Sequence, residues 1–357
     1  MPDAIRMLDL FAGAGGLSRG FHDASARFES VTAVEFDTAA AASYSSNFPD
    51  AEVHAMDIKH WLDEGGATPG MARVIIGGPP CQGFSTLGKQ EVDDERNDLW
   101  RQYERTILAV QPELFVVENV AAFGKSPQFA QFRASADDGS LRDYDFEARI
   151  LNSADYGAPQ TRKRAILIGF RRDLGFPGWP DRTHTSTPIA VGTALAHIPE
   201  DVEGVEFPDT RTMDFQGRTF KGSFRADELH LGRRYSELSM RRFTEIPRGG
   251  NRFDLPEHLK APCWVGHKTG SGDVMGRMHL DRPSVTIRTE FFKPEKGRYL
   301  HPTADRAITH WEAATLQGFP DEHRFVGSKT QIARQIGNAV PIPLGRALGA
   351  EIAGFLD

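Results

Sequence analysis

The sequence is poor in cysteine: its 357 residues include only Cys81 and Cys263. Two cysteines cannot form a disulfide framework, so we expect a reducing compartment and a free Cys81 thiol. No apolar run approaches the roughly 18 residues that a membrane span requires, and residues 1–6 show no charged segment leading into an apolar one. These absences predict a cytoplasmic protein without a membrane span.

The chain also lacks a positive net charge and a phosphate-binding loop. Its formal net charge is −7, which is unusual for a protein that binds nucleic acid. The charge is uneven, because residues 210–252 carry ten Lys and Arg against five Asp and Glu. A local basic surface is sufficient for phosphate contacts. No Gly-Lys-Ser/Thr loop of the type that binds ATP phosphates occurs.

Cys81 lies in a turn rich in proline and glycine, residues 77–85. The apolar run 74–76 before it predicts a buried parallel strand. Open α/β sheets bind ligands at the C-terminal ends of such strands. A buried cysteine that acts as a small hydrophobic residue is the alternative interpretation. Pro79 and Pro80 stiffen the approach to the thiol, which favours a shaped turn.

Three predicted strands precede this turn, and each ends in residues suited to a nucleoside. The first leads into the glycine turn 12–17, the second into Glu35 and the third into Asp57. Glycines let the backbone approach a ligand, and an acid about 20 residues later commonly binds ribose hydroxyls. The spacing of a pyrophosphate fingerprint is absent. The pattern favours S-adenosylmethionine over NAD or ATP.

Further polar residues follow predicted strands. The aperiodic segment 86–98 predicts a mobile lid, and Glu118 follows the apolar strand 114–117. Strand alternation places Arg162 and Arg164 on one face, where they suit a phosphate or a carbonyl oxygen. The alternatives are a helix cap or surface acid at Glu118 and a solvated basic strand around the two arginines.

After residue 171 the apolar runs are short and few segments have a clear periodicity. This change predicts a smaller, irregular domain that ends near residue 282. Its basic clusters are candidate nucleic-acid contacts, although each pair alone is equally typical of an ordinary surface. Regularity returns at 283–287, in a helix over 311–316 and in a helix over 343–355 that should pack back on the first sheet. The candidate contacts are Arg233, Arg234, Arg241, Arg242, Arg248, Arg252 and Lys268.

Several motifs of this sequence occur in the order that is typical of one family. In these motifs the chain resembles the DNA cytosine-C5 methyltransferases of bacterial restriction–modification systems. The match covers nearly the whole chain except about 171–282, the variable recognition region of that family. Where the family carries Arg-Glu-x-x-Arg, this chain has neither arginine in 311–315. The matching segments are Asp9–Gly16, Glu35, Asp57, Pro79–Gln82, Glu118–Val120, Gln160–Arg164, Gln317–Pro320 and Gln335–Pro341.

The resemblance implies a class I AdoMet-dependent methyltransferase fold. This is a Rossmann-like α/β fold with a mostly parallel sheet and helices on both faces, plus a smaller irregular target-recognition domain. The implied domains are a catalytic AdoMet-binding domain (1–170), a target-recognition domain (171–282) and a C-terminal segment that returns to the catalytic domain (283–357).

The resemblance also implies the chemistry. Cys81 attacks C6 of a flipped-out cytosine, which lets C5 take a methyl group from a sulfonium, and loss of the C5 proton and the thiol restores the ring. Glu118 holds N3 and N4 of the base. Arg162 and Arg164 contact O2 and the adjacent phosphate, and Arg164 could instead orient Glu118.

The implied cofactor is S-adenosyl-L-methionine, with S-adenosyl-L-homocysteine as product and no metal. Phe11 would stack on the adenine, Glu35 would bind the ribose, Asp57 the adenine amino group, and Asn338 would lie near the methionine end. The expected cofactor-binding residues are Phe11, Ala12, Gly13, Gly15, Gly16, Leu17, Glu35, Phe36, Asp57, Ile58, Pro79, Leu99, Asn338 and Ala339.

The implied partner is double-stranded DNA, with a possible restriction endonuclease of the same specificity, and we expect a monomer. A tRNA cytosine-C5 methyltransferase is one alternative, but that branch carries another triplet at residues 80–82 and a shorter insert. A catalytically silent DNA-binding regulator is another, and the presence of the catalytic residues opposes it. Further expected DNA contacts near the thiol are Gln82, Ser85, Lys89 and Arg96.

Overall fold

The computed structural model describes residues 3–80, 99–266 and 269–357. The chain forms two compact units. The first comprises Met1–Tyr156, Lys163–Thr183 and Val340–Asp357, and the second comprises Gly157–Arg162 and His184–Ala339. In the described part of the chain, no helix has the length and apolar character needed to cross a membrane.

A seven-stranded sheet forms the centre of the first unit, with the strand order β3-β2-β1-β4-β5-β7-β6. The first five strands in this order pair in parallel, and β7 pairs antiparallel with both β5 and β6. The mostly parallel sheet predicted from the sequence is confirmed. The strands are β1 (Ile5–Leu10), β2 (Phe28–Val34), β3 (Glu52–His54), β4 (Val74–Gly77), β5 (Leu114–Val120), β6 (Tyr144–Asn152) and β7 (Lys163–Arg171).

Helices cover both faces of this sheet. In the order of the chain, the helices of the first unit are α1 (Gly16–Ala24), α2 (Thr38–Asn47), α3 (Ile58–Asp63), α4 (Leu99–Val110) and α5 (Pro127–Asp137), with the last helix of the chain (Ile342–Phe355) described below.

Strand β4 is apolar throughout because both of its faces are buried. Ile75 joins the core on the side of α3, α4 and α5, whereas Val74 and Ile76 join the core on the opposite side with Leu17 and Phe21 of α1. A strand buried on both faces cannot alternate between apolar and polar residues.

The C-terminal helix packs on the first sheet, as the sequence predicts. Its residues Leu344 and Leu348 share a core with the strand residue Val116. The helix meets α1 at glycines: a Cβ on Gly20 would lie 2.7 Å from the Cα of Gly345. Only residues without a side chain allow the two backbones to come this close.

The second unit has much less regular structure. Its helices are α6 (Val191–Ala194), α7 (Glu237–Glu245), α8 (His310–Gln317) and α9 (Lys329–Asn338), and the C-terminal helix of the first unit is therefore α10 (Ile342–Phe355). Its strands form two short antiparallel pairs, β8 (Thr212–Phe215) with β9 (Arg218–Lys221) and β10 (Phe224–Arg225) with β11 (Arg324–Phe325).

Two arginines satisfy backbone carbonyls in this irregular unit. Arg277 is 3% exposed and donates to the carbonyls of Phe243, Ile246 and His301. Arg298 donates to the carbonyl of Gly249 at 2.8 Å and to others nearby. Because carbonyls outside helices and sheets need other donors when buried, each guanidinium stabilises several loop segments at once.

One detail differs from the sequence-based expectations. Strand β5 continues through Glu118 to Val120, because these residues pair with β7. In the segment 283–287, Ser284 pairs with Gln160 in a single parallel bridge. Residues 99–110, whose apolar residues have helical spacing, form α4.

Candidate active site

The residues that lead to the predicted nucleophile are firmly held. Cys81 itself lies outside the described residues, and so do the lid segment 86–98 and the predicted DNA contacts Gln82, Ser85, Lys89, Arg96 and Lys268. The side chain of Asn119 donates from Nδ2 to the carbonyl of Pro79 at 3.0 Å, and its Oδ1 accepts from the Val120 N–H. A buried amide on β5 therefore fixes the backbone two residues before Cys81.

Glu118 is paired with Arg164. Nε of Arg164 lies 2.6 Å from Oε1 of Glu118, and the two side chains are 15% and 11% exposed. The partner of Glu118 directly across the strand pair is Ile166, so the two charged side chains meet on a diagonal of the β5–β7 ladder. The contact favours the second of the two roles that the sequence leaves open for Arg164, the orientation of Glu118.

Gly78 gives the Glu118 carboxylate its space. A Cβ at this position would lie 2.9 Å from Oε2 of Glu118. The glycine directly after β4 is thus required by the close approach of the carboxylate, a constraint that the sequence alone does not show.

Arg162 lies in the second unit and is 3% exposed. Its Nη1 donates to the carbonyls of Ile287 at 3.0 Å and Gly337 at 2.9 Å, and its Nη2 donates to that of Asn338 at 3.3 Å. These bonds connect the segment before β7 to two later parts of the chain. They favour a positioning role for Arg162 over direct contact with a base.

The predicted nucleoside pocket begins at a strained turn after β1. Phe11 has a φ of 58°, which is unusual for a bulky residue and marks a turn held in place by its surroundings. Gly13 and Gly15 also have positive φ, and Gly15 caps the N-terminus of α1. Ala12, Gly16 and Leu17 complete the turn and are buried.

Glu35 holds this turn closed. Its Oε2 accepts from the N–H of Gly13 at 2.9 Å, and its Oε1 accepts from the N–H of Asp37 at 2.7 Å. Burial raises the pKa of Glu35, and the two N–H donors oppose that rise. The acid that ends β2 therefore shapes the pocket by its own contacts.

Two further residues of the predicted pocket are Phe36 and Asp57. Phe36 is 74% exposed, although the exposure of a large aromatic side chain to water is unfavourable. Asp57 caps α3 by accepting from the N–H of Lys59 at 2.7 Å, and Ile58 next to it is buried. Pro79 and Leu99 belong to the same unit, whereas Asn338 and Ala339 end α9 in the second unit.

A buried polar chain lies beneath the glycine turn. Ser18 donates to Oδ2 of Asp9 at 2.6 Å, and the Ser18 and Tyr44 hydroxyls are 2.8 Å apart. Burial raises the pKa of Asp9 to about 8, with the nearby Glu35 adding to the rise. Burial also raises the pKa of Tyr44, so its hydroxyl stays protonated. The sequence motif includes Asp9, but only the fold shows that Asp9 is hydrogen-bonded in series with Ser18 and Tyr44.

The predicted DNA contacts of the second unit differ in their surroundings. Arg233 donates to the carbonyl of Phe292 at 2.8 Å, and Arg242 donates to that of Leu259 at 2.7 Å. Arg252 lies over the ring of Phe253 at 4.9 Å. The remaining three are exposed, and they are Arg234, Arg241 and Arg248.

An arginine outside the family motif, Arg306, contacts α8. It forms a bidentate ion pair with Glu312, in which Nη2 lies 2.7 Å from Oε1 and Nη1 lies 2.8 Å from Oε2. Burial disfavours a charged carboxylate there, but this guanidinium holds the pKa of Glu312 below its ordinary value. The arginine comes from a position six residues before the glutamate, where the motif gives no reason to look for it.

Comparisons with known proteins agree with the fold and with the family resemblance of the motifs. The model of the C-5 cytosine-specific DNA methylase family matches residues 5–354. The Type II methyltransferase M.XorII of Xanthomonas oryzae is 35% identical over 97% of this chain and 84% of its own length. The Type II methyltransferase M1.HphI of Haemophilus parahaemolyticus is 34% identical over 98% of this chain and 87% of its own.

A solved structure extends the agreement to three dimensions. A DNA modification methyltransferase encoded within an E. coli prophage superimposes with a TM-score of 0.72, at 26% identity over 99% of both chains. The chain belongs to the C-5 cytosine-specific DNA methylase family. It is a DNA (cytosine-5-)-methyltransferase, and the resemblance found in its motifs, to enzymes of the restriction–modification type, is confirmed.

Proposed function

We propose that this enzyme methylates C5 of a cytosine that is flipped out of duplex DNA, through a transient bond between Cys81 and C6. The observation that carries the proposal is the Glu118–Arg164 pair beside the strand end that leads to Cys81. Attack of the Cys81 thiolate on C6 gives C5 the electron density that it lacks in cytosine. After methyl transfer, loss of the C5 proton and release of the thiolate restore the aromatic ring.

Glu118 is suited to hold the target base during this attack. Its carboxyl group can contact N3 and the N4 amino group of cytosine and deliver a proton to N3 as C6 becomes tetrahedral. Arg164 fixes the carboxylate from one side, and Gly78 leaves room on the other. Arg162 positions the surrounding segments through its three carbonyl contacts.

S-adenosyl-L-methionine is the proposed methyl donor, and when bound it supplies an electrophilic methyl group on a sulfonium. The described residues fit it: the Gly13 turn allows a close approach, and the exposed ring of Phe36 offers an apolar surface for an adenine. Glu35, whose carboxylate is oriented by two N–H groups, is proposed to accept hydrogen bonds from the ribose hydroxyls. Asp57 and the neighbouring Ile58 are proposed to bind the adenine edge, and Phe11 to stack on it.

The biological role that we propose is the protection of host DNA from a restriction endonuclease of the same specificity. In that role the enzyme would work as a monomer in a bacterial cytoplasm. Lys and Arg side chains of the second unit and of the predicted lid would neutralise phosphates and offset the cost of base flipping, roughly a few kcal/mol.

The decisive experiment uses duplex DNA in which 5-fluorocytosine replaces cytosine. Because fluorine cannot leave as the C5 proton does, the methylated adduct stays covalently attached to the enzyme. With S-adenosyl-L-methionine, the wild-type protein should form a complex that survives denaturing electrophoresis, and Cys81→Ala should not. Failure of the active wild-type enzyme to trap would contradict the covalent mechanism. Methyl transfer to bulk tRNA in preference to DNA would contradict the proposed substrate.

A further inference from the structure

The backbone around Arg288 is held from one side by the segment that contains Arg162. Nη1 of Arg162 donates to the Ile287 carbonyl, and the Ile287 N–H donates to Oε1 of Gln160 at 2.7 Å. The N–H of Thr161 also donates to the carbonyl of Ser284 at 2.8 Å. The residue directly before Arg288 is therefore fixed at both its N–H and its carbonyl.

The same stretch is held from the other side by α9. A Cβ on Gly337 would lie 2.4 Å from the N of Thr289 and 2.5 Å from the carbonyl carbon of Arg288. A backbone packed this closely on a glycine has little freedom to shift. The Cα of Arg288 is thus placed accurately relative to the Arg162 segment.

The side chain of Arg288 contrasts with this rigid base. It is exposed, and among the residues that the structure describes its guanidinium forms no ion pair with a carboxylate. Other arginines nearby are occupied: Arg277 pairs with Asp305, and Arg298 lies 3.3 Å from Asp273. A planar set of five N–H donors is therefore presented on a fixed backbone.

Arg288 lines a cavity of about 470 Å³ in the second unit. This volume is in the range of sites that bind a molecule the size of a nucleotide. Four basic side chains line it against one carboxylate, that of Asp273. The hydroxyl of Ser284 also lies there, 4% exposed and without a hydrogen-bond partner in the described part of the chain. The four basic residues are Arg282, Arg288, Lys296 and Arg298.

We propose that Arg288 is a specificity-determining residue, whose guanidinium donates two hydrogen bonds to N7 and O6 of a guanine near the target cytosine. The two parallel donors of arginine match this base edge, and no other base presents two acceptors there. Lys296 and Arg282 line the same cavity and supply positive charge for contacts with the DNA phosphates. The guanidinium of Arg288 is then available to bind the base. The proposal rests on the proposed activity on DNA.

The test compares three variants on a library of duplexes with randomised flanking bases, read by bisulfite sequencing. Arg288→Ala removes the donors, Arg288→Lys keeps the charge but loses the paired geometry, and Lys296→Ala is the matched control from the same cavity. Because Arg288 and Lys296 are both exposed, the melting curves of all three variants should match that of the wild type.

With wild type, we expect an invariant guanine at one flanking position. Arg288→Ala and Arg288→Lys should both relax the preference at that position alone, by about 5- to 150-fold. Lys296→Ala should lower affinity for all sequences and reduce the salt dependence by about one unit, with the preference unchanged.

A uniform loss of affinity in Arg288→Ala, with the site preference intact, would show a phosphate contact and overturn the proposal. A wild-type site without an invariant guanine would also overturn it. If the wild type methylates no duplex at all, the proposed function fails instead, and this is seen before any variant is compared.

Discussion

Arg164 contacts Glu118 across the antiparallel β5–β7 pair, with Nε 2.6 Å from Oε1. The contact falls at the boundary where the sheet changes from parallel to antiparallel, and β5 is the strand next to the one that leads to Cys81. The carboxyl group that we propose to act on the base and the guanidinium that contacts it thus lie on two hydrogen-bonded strands. This arrangement fixes the carboxylate more accurately than a loop could.

Replacing Glu118 with Gln should abolish most of the methyl transfer. The amide cannot deliver a proton to N3, so kcat should fall by about 10²- to 10⁴-fold, whereas affinity for DNA should change little. Single-turnover kinetics and a DNA-binding assay separate the two effects.

The matched control is Glu113→Gln. Glu113 forms a comparable ion pair with Arg73 near the opposite end of β5, at 2.8 Å, and has no place in the proposed site. Its substitution should leave kcat unchanged. Equal losses in both variants would mean that Glu118 acts through the stability of the strand and not on the base.

Adding a methyl group at Gly78 should displace the Glu118 carboxylate. The new Cβ would lie 2.9 Å from Oε2, so Gly78→Ala should lower kcat at least tenfold while the melting temperature stays nearly constant. Gly124→Ala is the control, because a Cβ there would meet nothing within 4 Å and its φ is not positive. Full activity of Gly78→Ala would show that the carboxylate can move freely.

The buried Asp9 should make stability depend on pH. Its pKa is about 8 in the folded protein and near 3.8 in the unfolded chain, so the unfolded state gives up this proton first. The contribution of Asp9 to the free energy of unfolding is therefore largest below about pH 4, declines as the pH rises, and is lost by about pH 8.

Asp9→Asn isolates this effect, because the amide oxygen can still accept from Ser18 and does not titrate. Chemical denaturation at pH 5, 6.5 and 8 should show the wild type losing stability relative to the variant as the pH increases. A stability difference that stays constant over this range would contradict the raised pKa.

Arg277→Met should destabilise the second unit. The substitution removes the donor to the carbonyls of Ile246 and His301, and each buried unsatisfied group costs about 1–3 kcal/mol. Proteolysis should cut this unit faster than in the wild type. Arg282→Met, at an exposed position that pairs with the adjacent Asp281, should be cut by protease at the wild-type rate.

The sequence predicts the first unit well, because its strands are short apolar runs that end in glycine or an acid. The runs around Val74 and Val116 have no polar alternation, and this reports burial on both faces. The end of β5 was harder to predict. Glu118 and Asn119 are polar, yet they continue the strand because β7 supplies hydrogen-bond partners from 45 or more residues away.

The second unit could be predicted only as irregular. Its order comes from Arg277 and Arg298, whose partners are carbonyls scattered along the sequence, and such contacts leave no periodic pattern. For the same reason, the sequence does not predict that the backbone at Arg288 is fixed by Arg162 and by packing on Gly337. The sequence predicts DNA contacts at Arg233 and Arg241 instead, since adjacent basic residues can be recognised without knowledge of the fold.

The last helix of the chain has a consequence for how the enzyme is made. Leu344, Leu348 and Ile352 of α10 fill one side of the core against Met7 and Phe21, near the opposite end of the sequence. During translation, then, the apolar face formed by the first strands stays uncovered until α10 has been synthesised. The nascent chain must keep that face from aggregating until then, and truncation before α10 should yield a product that cannot complete its core.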